Sequence, residues 1–166
     1  MTTIIDVAKK AKVSVTTVSR VLNKKDNLIP ISEETREKVL KAAEELNYHP
    51  NILARSLVQK KSNTIGLIIP SVSYSFFPEV TKGIEAVANK HGYQLTLCHS
   101  DENSSKEREE IRTLQERRVD GMILAPAQRM ENLNLLKELQ KENFPFVLID
   151  RYYQGENFNN VGGVAK

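Results

Sequence analysis

The chain has 166 residues, of which 40% are hydrophobic and 27% charged, a balance typical of a folded globular protein rather than a disordered tail. The longest apolar runs, residues 65–69 and 146–149, are far too short to cross a bilayer, so we expect no membrane partner. The first residues lack the basic-then-apolar pattern of an export signal, which favours a cytoplasmic location. A single cysteine excludes an internal disulfide framework and a Cys-rich zinc site.

The charge of the chain is unevenly distributed. Residues 1–62 contain 12 Lys and Arg against 7 Asp and Glu, whereas residues 63–166 contain 12 against 14. The net charge of +3 therefore divides into +5 and −2. A small basic head on a mildly acidic body indicates that the head meets a polyanion such as nucleic acid. The alternative is a Lys-rich helical surface that only faces solvent.

The head is predicted to contain three short helices. Thr3 and Asp6 have the spacing of a capping box at the start of the first helix, and Ser14 and Ser32 are suited to cap the second and third. Only two residues, Lys12 and Val13, separate the first two helices. Two helices joined by such a tight corner are typical of a helix-turn-helix.

In a helix-turn-helix, the N-terminal residues of the second helix enter the major groove of DNA. The candidate contacts here are Val15, Thr16, Thr17, Ser19, Arg20 and Asn23. Hydroxyl groups bond to bases or phosphates, methyl groups contact thymine, and the cationic side chain binds phosphate or a base edge. The alternative is a three-helix bundle with a Thr-rich exposed face.

Beyond the head, the sequence predicts a polar linker at residues 59–63 and then a different pattern. Strands are predicted at residues 64–70, 93–99, 121–125 and 146–149, and they alternate with helices at residues 77–91, 106–118 and 131–142. This alternation is typical of a parallel sheet with helical crossovers.

Ligands of open parallel sheets bind beyond the carboxyl ends of the strands. The candidate effector contacts at these ends are Phe76, Phe77, Asp101, Asp150 and Arg151. Aromatic rings stack on a sugar ring or a base, and charged groups bond to hydroxyls. The alternatives are that the aromatic rings pack at the start of a helix and that Asp101 caps one.

Several stretches resemble LacI/GalR-type transcriptional repressors. The headpiece of that family is similar to "DVAKKAKVSVTTVSRVLN" and "ISEETREKVLKAAEELNYHPNILARSL". The similarity continues through "IGLIIPSVSYSFFPEVTKGIE" and "RRVDGMILAP" to "VLIDR". It implies an all-α helix-turn-helix headpiece at residues 1–50, a hinge helix and linker at 51–63, and, at 64–166, the first lobe of a periplasmic-binding-protein-like α/β domain.

The resemblance also implies how such a protein works. The hinge helix folds on DNA and pairs with its dimer mate in the minor groove, which adds Asn51, Ala54, Arg55 and Leu57 to the DNA contacts. Leu57 takes the place of a wedge that opens a base step; without the resemblance, we would expect it to pack into the body. The partners implied are a pseudo-palindromic operator in double-stranded DNA, a second copy of the chain, and a small effector such as a sugar.

Two features depart from the family pattern. Lys12 stands where many relatives have glycine, and a left-handed backbone there costs about 1 kcal/mol. Residues 24–31 form a slightly longer connection than in the shortest relatives, which is tolerated at little cost. The strands are those of one lobe only, so we expect a truncated repressor in which effector binding is in doubt.

Two other function classes compete with this interpretation. A small-molecule binding protein of the periplasmic type fits the strand and helix alternation but not the basic head. An enzyme is disfavoured because the sequence has no Gly-rich phosphate loop, GxSxG or HExxH motif. We therefore expect no enzymatic activity, no metal and no cofactor.

Overall fold

The computed structural model describes residues 2–23, 30–50, 56, 60–127, 130–153 and 155–162. The chain divides into two compact units, Met1–Arg55 and Ser56–Lys166, which we call the head and the body. The predicted boundaries between headpiece, hinge and lobe stay a prediction, because most of residues 51–63 lie outside the described part. Within the described part, no helix is both long and apolar enough to cross a bilayer.

The head contains the three predicted helices, α1 (Ile4–Ala11), α2 (Val15–Leu22) and α3 (Glu33–Glu45). All three predicted N-caps are confirmed. Thr3 and Asp6 form a reciprocal capping box, and Ser14 Oγ accepts the Thr17 N–H at 3.0 Å. Ser32 Oγ accepts the Thr35 N–H at 3.3 Å. Each cap satisfies a backbone donor that the first turn of the helix leaves without a partner.

A small apolar core joins the three helices. One valine from each helix is completely buried, namely Val7, Val18 and Val39, and four alanines and Val21 surround them. Short side chains allow the helices to approach closely, but they bury little apolar area, so the margin of stability of the head is small.

The corner between α1 and α2 depends on Lys12, whose backbone is left-handed (φ 56°, ψ 42°). The Lys12 N–H donates to the Lys9 carbonyl at 3.3 Å, and the Val13 N–H donates to the Ala8 carbonyl at 3.1 Å. These bonds satisfy carbonyls at the end of α1. The left-handed conformation considered from the sequence is therefore present, in a residue that has a Cβ.

The body contains one parallel sheet with helices on both faces. Its strands are β1 (Thr64–Ile69), β2 (Gln94–His99), β3 (Gly121–Leu124), β4 (Phe146–Ile149) and β5 (Asn160–Val161). The helices are α4 (Phe76–Lys90), α5 (Ser104–Glu116) and α6 (Leu133–Lys141), and a 3₁₀ turn at Met130–Asn132 precedes α6. The strand order is β2-β1-β3-β4-β5. The predicted fold class is confirmed, and β5 is an element that the sequence analysis missed.

Alternate side chains of the central strands face different helices. Leu67 and Ile69 belong to the cluster that contains Phe77 at the start of α4. Ile68 belongs to the larger cluster formed with α5 and α6. On that face, a Cβ at Gly66 would lie 2.5 Å from Leu114 Cδ1, so the close approach of α5 requires glycine.

We expect Lys12→Gly to stabilise the head by roughly 0.5–1 kcal/mol, because glycine adopts a left-handed backbone without steric cost. The control is Lys9→Gly, which removes the same charge from an exposed position inside α1 and should destabilise the head by about 1 kcal/mol. Hydrogen exchange of the amides in α1 and α2 measures both effects. Faster exchange in Lys12→Gly than in the wild type would contradict the expectation.

Candidate functional site

The exposed side of α2 collects most of the predicted DNA contacts. With about 100° of rotation per residue, one side of the helix is formed by Val15, Thr16, Ser19, Arg20 and Asn23, which we call the α2 outer face. Val18 and Val21 are buried on the opposite side. Val15 is 41% exposed although it is a large apolar residue, and Thr16 is exposed as well.

Polar groups on the α2 outer face are already ordered by local hydrogen bonds. Asn23 Nδ2 donates to the Ser19 carbonyl at 2.7 Å and to Ser19 Oγ at 3.2 Å. Thr17 lies at the border of this face, where its hydroxyl is 2.9 Å from Ser14 Oγ. Five of the six predicted contacts thus share one side of α2, while Thr17 belongs to the N-cap.

The other two helices of the head pack against the buried Val18 and Val21 of α2 and are also tied to each other. Lys10 Nζ lies 2.6 Å from Glu45 Oε2 and joins α1 to the end of α3. Thr2 Oγ1 donates to the Leu46 carbonyl at 3.1 Å. The result is an α2 whose outer face carries hydroxyl, amide, methyl and cationic groups on a fixed support.

The predicted hinge contacts Asn51, Ala54, Arg55 and Leu57 lie outside the described residues and stay a prediction.

The second candidate site lies at the carboxyl ends of the strands in the body. In the sheet, β1 lies between β2 and β3. The chain leaves β1 through α4 to form β2 on one side of β1, and it later forms β3 on the other side. Ligands of open α/β sheets bind at such a reversal, in the crevice beyond the strand ends. The loops concerned follow β1, β2, β3 and β4, and we call this region the effector edge.

Arg151, which follows β4, ties these loops together. Its Nη1 and Nη2 atoms donate to Glu102 Oε2 and Oε1, both at 2.8 Å. Nη1 also donates to the Pro126 carbonyl at 3.0 Å, and Nε lies 3.6 Å from Asp150 Oδ2. The Glu102 carboxylate is the main cause of the raised pKa of Arg151, so this guanidinium stays charged.

Asp101 is not the helix cap that the sequence analysis offered as an alternative. Asn103 caps α5 instead, because its Oδ1 accepts the N–H groups of Ser105 and Lys106 at 2.9 and 3.0 Å. Asp101 pairs with Lys106 Nζ at 2.7 Å and with His99 Nδ1 at 3.0 Å. These bonds lower the pKa of Asp101.

The two phenylalanines at the start of α4 differ in environment. Phe77 is only 2% exposed and packs in the core with Leu67, Ile69 and Ala125, as the packing alternative predicts. Phe76 is 56% exposed, and its ring centroid lies 5.3 Å from that of Phe77. Of the two rings, Phe76 is the one available to a ligand.

Sequence reasoning missed the buried carboxylate of Glu107 on α5. Its Oε2 accepts the Ala127 N–H at 2.5 Å, and its Oε1 accepts Asn132 Nδ2 at 2.8 Å. Burial raises the pKa of Glu107 despite these two bonds. The missed signal is its spacing, because positions 107, 111 and 114 lie on one helical face with Ile111 and Leu114.

The described residues include no group of three or more His, Cys, Asp or Glu side chains placed to hold a metal ion. Cys98 is half-buried. Burial and the nearby Glu110 raise the pKa of its thiol to about 12. A thiol with so high a pKa is a poor nucleophile near neutral pH.

Comparison with known proteins decides the family. Residues 3–51 match the bacterial regulatory proteins of the lacI family, and residues 62–159 match the periplasmic binding proteins and sugar binding domain of LacI family. The chain belongs to the lacI family.

Relatives of this lacI-family chain include the ribose operon repressor of Halalkalibacterium halodurans, 49% identical over 92% of the chain and 44% of that protein. A lac repressor dimer bound to operator and the anti-inducer ONPF is 29% identical, with a TM-score of 0.80 over 96% of this chain and 47% of that one. The Cra transcriptional dual regulator of Pseudomonas putida, in complex with fructose 1-phosphate, is 29% identical, with a TM-score of 0.56 over 60% and 37%. The chain spans less than half the length of each.

We expect the stability contributed by Glu107 to depend on pH in a definite direction. Because the folded chain raises the pKa of Glu107 from its usual 4.5, folding favours the protonated form, and this contribution is lost as the pH rises through the raised value. The free energy of unfolding of the wild type, relative to Glu107→Gln, should therefore fall as the pH rises above 4.5.

Urea denaturation of both proteins at a series of pH values measures the difference. Glu116→Gln, an exposed position on the same helix, is the matched control and should give a difference that does not change with pH. A wild type that gains stability over Glu107→Gln as the pH rises would refute the assignment.

Proposed function

We propose that this chain is the DNA-binding part of a sequence-specific transcription regulator that acts as a repressor. The observation that carries the proposal is the α2 outer face, which lies opposite the buried Val18 and Val21 and directly follows the Lys12 corner. A short helix supported in this way fits the major groove of B-DNA and presents its first residues to base edges.

The chemistry of the face suits such a role. Thr16 offers a hydroxyl that donates and accepts, and Val15 offers methyl groups that match the methyl group of thymine. Arg20 supplies a positive charge for a phosphate or a guanine edge. The net charge of +5 in residues 1–62 adds attraction to phosphates that does not depend on sequence and weakens with salt.

We also propose that two copies bind one pseudo-palindromic operator. A two-fold symmetric protein matches a two-fold symmetric site, with one α2 in each half-site. In support of self-association, Val87 on α4 is 60% exposed and Leu97 on the edge strand β2 is 44% exposed, and the lac repressor that resembles this chain forms a dimer. In this arrangement the hinge segment with Asn51, Ala54, Arg55 and Leu57 enters the minor groove.

The effector is proposed to be a small metabolite of the sugar class. Asp150 and Arg151 offer a carboxylate and a guanidinium at the effector edge, and Phe76, which follows β1, offers an exposed ring; this combination fits hydroxyl groups and an apolar sugar face. The ribose operon repressors among the relatives support a sugar by their names. The same edge also suits a sugar-binding protein without DNA, but the match of residues 3–51 favours a regulator.

The central test is Thr16→Ala against a duplex selected from a random pool. Loss of one hydrogen bond to a base should weaken specific binding by about 1 kcal/mol, or roughly fivefold. Binding to unrelated DNA and stability should not change, because Thr16 is exposed. Mobility shift measures the affinity, and light scattering should find two chains per duplex.

The matched control is Thr16→Ser, which keeps the hydroxyl and should keep most of the affinity. A chain that selects no pseudo-palindromic sequence, or a Thr16→Ala variant that binds as tightly as the wild type, would remove the proposed role of α2.

Leu57→Ala tests the proposed hinge. Removal of an apolar wedge should reduce the bend of the bound duplex and weaken specific binding roughly tenfold or more. Fluorescence energy transfer between the ends of the duplex measures the bend. Val58→Ala removes a neighbouring apolar side chain that is not among the proposed contacts and serves as the control. An unchanged bend with Leu57→Ala would exclude the wedge.

A further inference from the structure

The guanidinium of Arg151 does not present its two-pronged end to a ligand. Nη1 and Nη2 already donate to the two oxygens of Glu102, both at 2.8 Å, and Nη1 donates again to the Pro126 carbonyl at 3.0 Å. A phosphate group is bound most strongly by two parallel N–H groups of such a fork. At the effector edge, Glu102 occupies the place that a phosphate would take.

The remaining side of Arg151 is also next to a negative charge. Asp150 Oδ2 lies 3.6 Å from Nε, so one guanidinium lies beside two carboxylates. The adjacent Asp101 is paired with Lys106. The side chains of Arg151 and Glu102 are mostly buried, which reduces screening by salt.

A phosphorylated ligand would therefore meet two obstacles. It would approach the two carboxylates, of Glu102 and Asp150, that lie against Arg151. It would also have to displace Glu102 from Arg151, which breaks two hydrogen bonds of 2.8 Å between side chains that are mostly buried. A hydroxyl group meets neither obstacle, because it donates to Asp150 and accepts from the Nε–H of Arg151 at the same time.

We infer that the effector edge takes an uncharged polyhydroxylated ligand and excludes its phosphorylated form, and that Glu102 is the residue that sets this choice. The inference rests on the proposed sugar response and deepens it. A structural neighbour of this chain holds fructose 1-phosphate, so the fold itself does not impose the choice. The preference for an uncharged ligand over its phosphorylated form comes from Glu102, which pairs with Arg151.

The experiment compares D-ribose with ribose 5-phosphate by calorimetry, on the wild-type chain and on Glu102→Gln. The wild type should bind D-ribose at least roughly tenfold more tightly than its phosphate. Glu102→Gln removes the charge but keeps the size, and it should tighten ribose 5-phosphate binding roughly tenfold. Glu85→Gln, at an exposed position on α4, is the control and should leave both affinities unchanged.

A second measurement does not depend on sugar binding. In a titration with inorganic phosphate, the Arg151 Nε–H signal in the ¹H–¹⁵N spectrum should move in Glu102→Gln and stay in place in the wild type. Glu102→Ala gives the same comparison if the Gln variant does not fold. If neither protein binds D-ribose while only the variant responds to phosphate, the sugar response fails and the role of Glu102 is supported.

The inference is overturned by either of two results. One is a wild-type chain that binds ribose 5-phosphate as tightly as D-ribose. The other is a phosphate titration in which the Arg151 signal of the wild type and of the variant move equally.

Discussion

A buried carboxylate needs hydrogen-bond donors, and at Glu107 this need holds the effector edge together. Glu107 lies on the apolar face of α5, where its two oxygens take donors from Ala127 in the loop after β3 and from Asn132 before α6. Asn132 also donates to the Ser104 carbonyl at 2.7 Å. Because Pro126 directly precedes Ala127, the same contacts fix the carbonyl that accepts from Arg151. The position of Arg151 thus depends on a buried carboxyl group two contacts away.

The stability of the head depends on different interactions. Its core consists of valines and alanines, which bury little area, so the caps and the corner contribute a large share of its stability. The left-handed backbone of Lys12 lowers this stability. A head of small margin is nonetheless compatible with the proposed DNA binding, because affinity for DNA comes largely from charge and from base contacts made by a short exposed element.

Periodicity and capping residues were enough to predict the architecture. Thr3, Ser14 and Ser32 predicted the starts of three helices, and the alternation of apolar runs with amphipathic segments predicted the parallel sheet. The two-residue strand β5 was missed because so short an element has no period to detect. The partners of Arg151 were missed for another reason. Glu102 and Arg151 are 49 positions apart in the sequence, which leaves no local pattern, and only the order of the strands brings the two side chains together.

Three residues at the effector edge have a strained backbone. Several non-glycine residues with positive φ, such as Asn47, Arg118 and Asn143, follow the ends of helices, where a left-handed residue terminates the helix. Helix termination does not account for Asp101, Glu102 and Asp150, which have φ of 51°, 56° and 64° and follow strands. Each costs on the order of 1 kcal/mol. These three strained residues place their carboxylates next to Lys106 and Arg151. The strain therefore occurs where charged groups are positioned, rather than where the chain only changes direction.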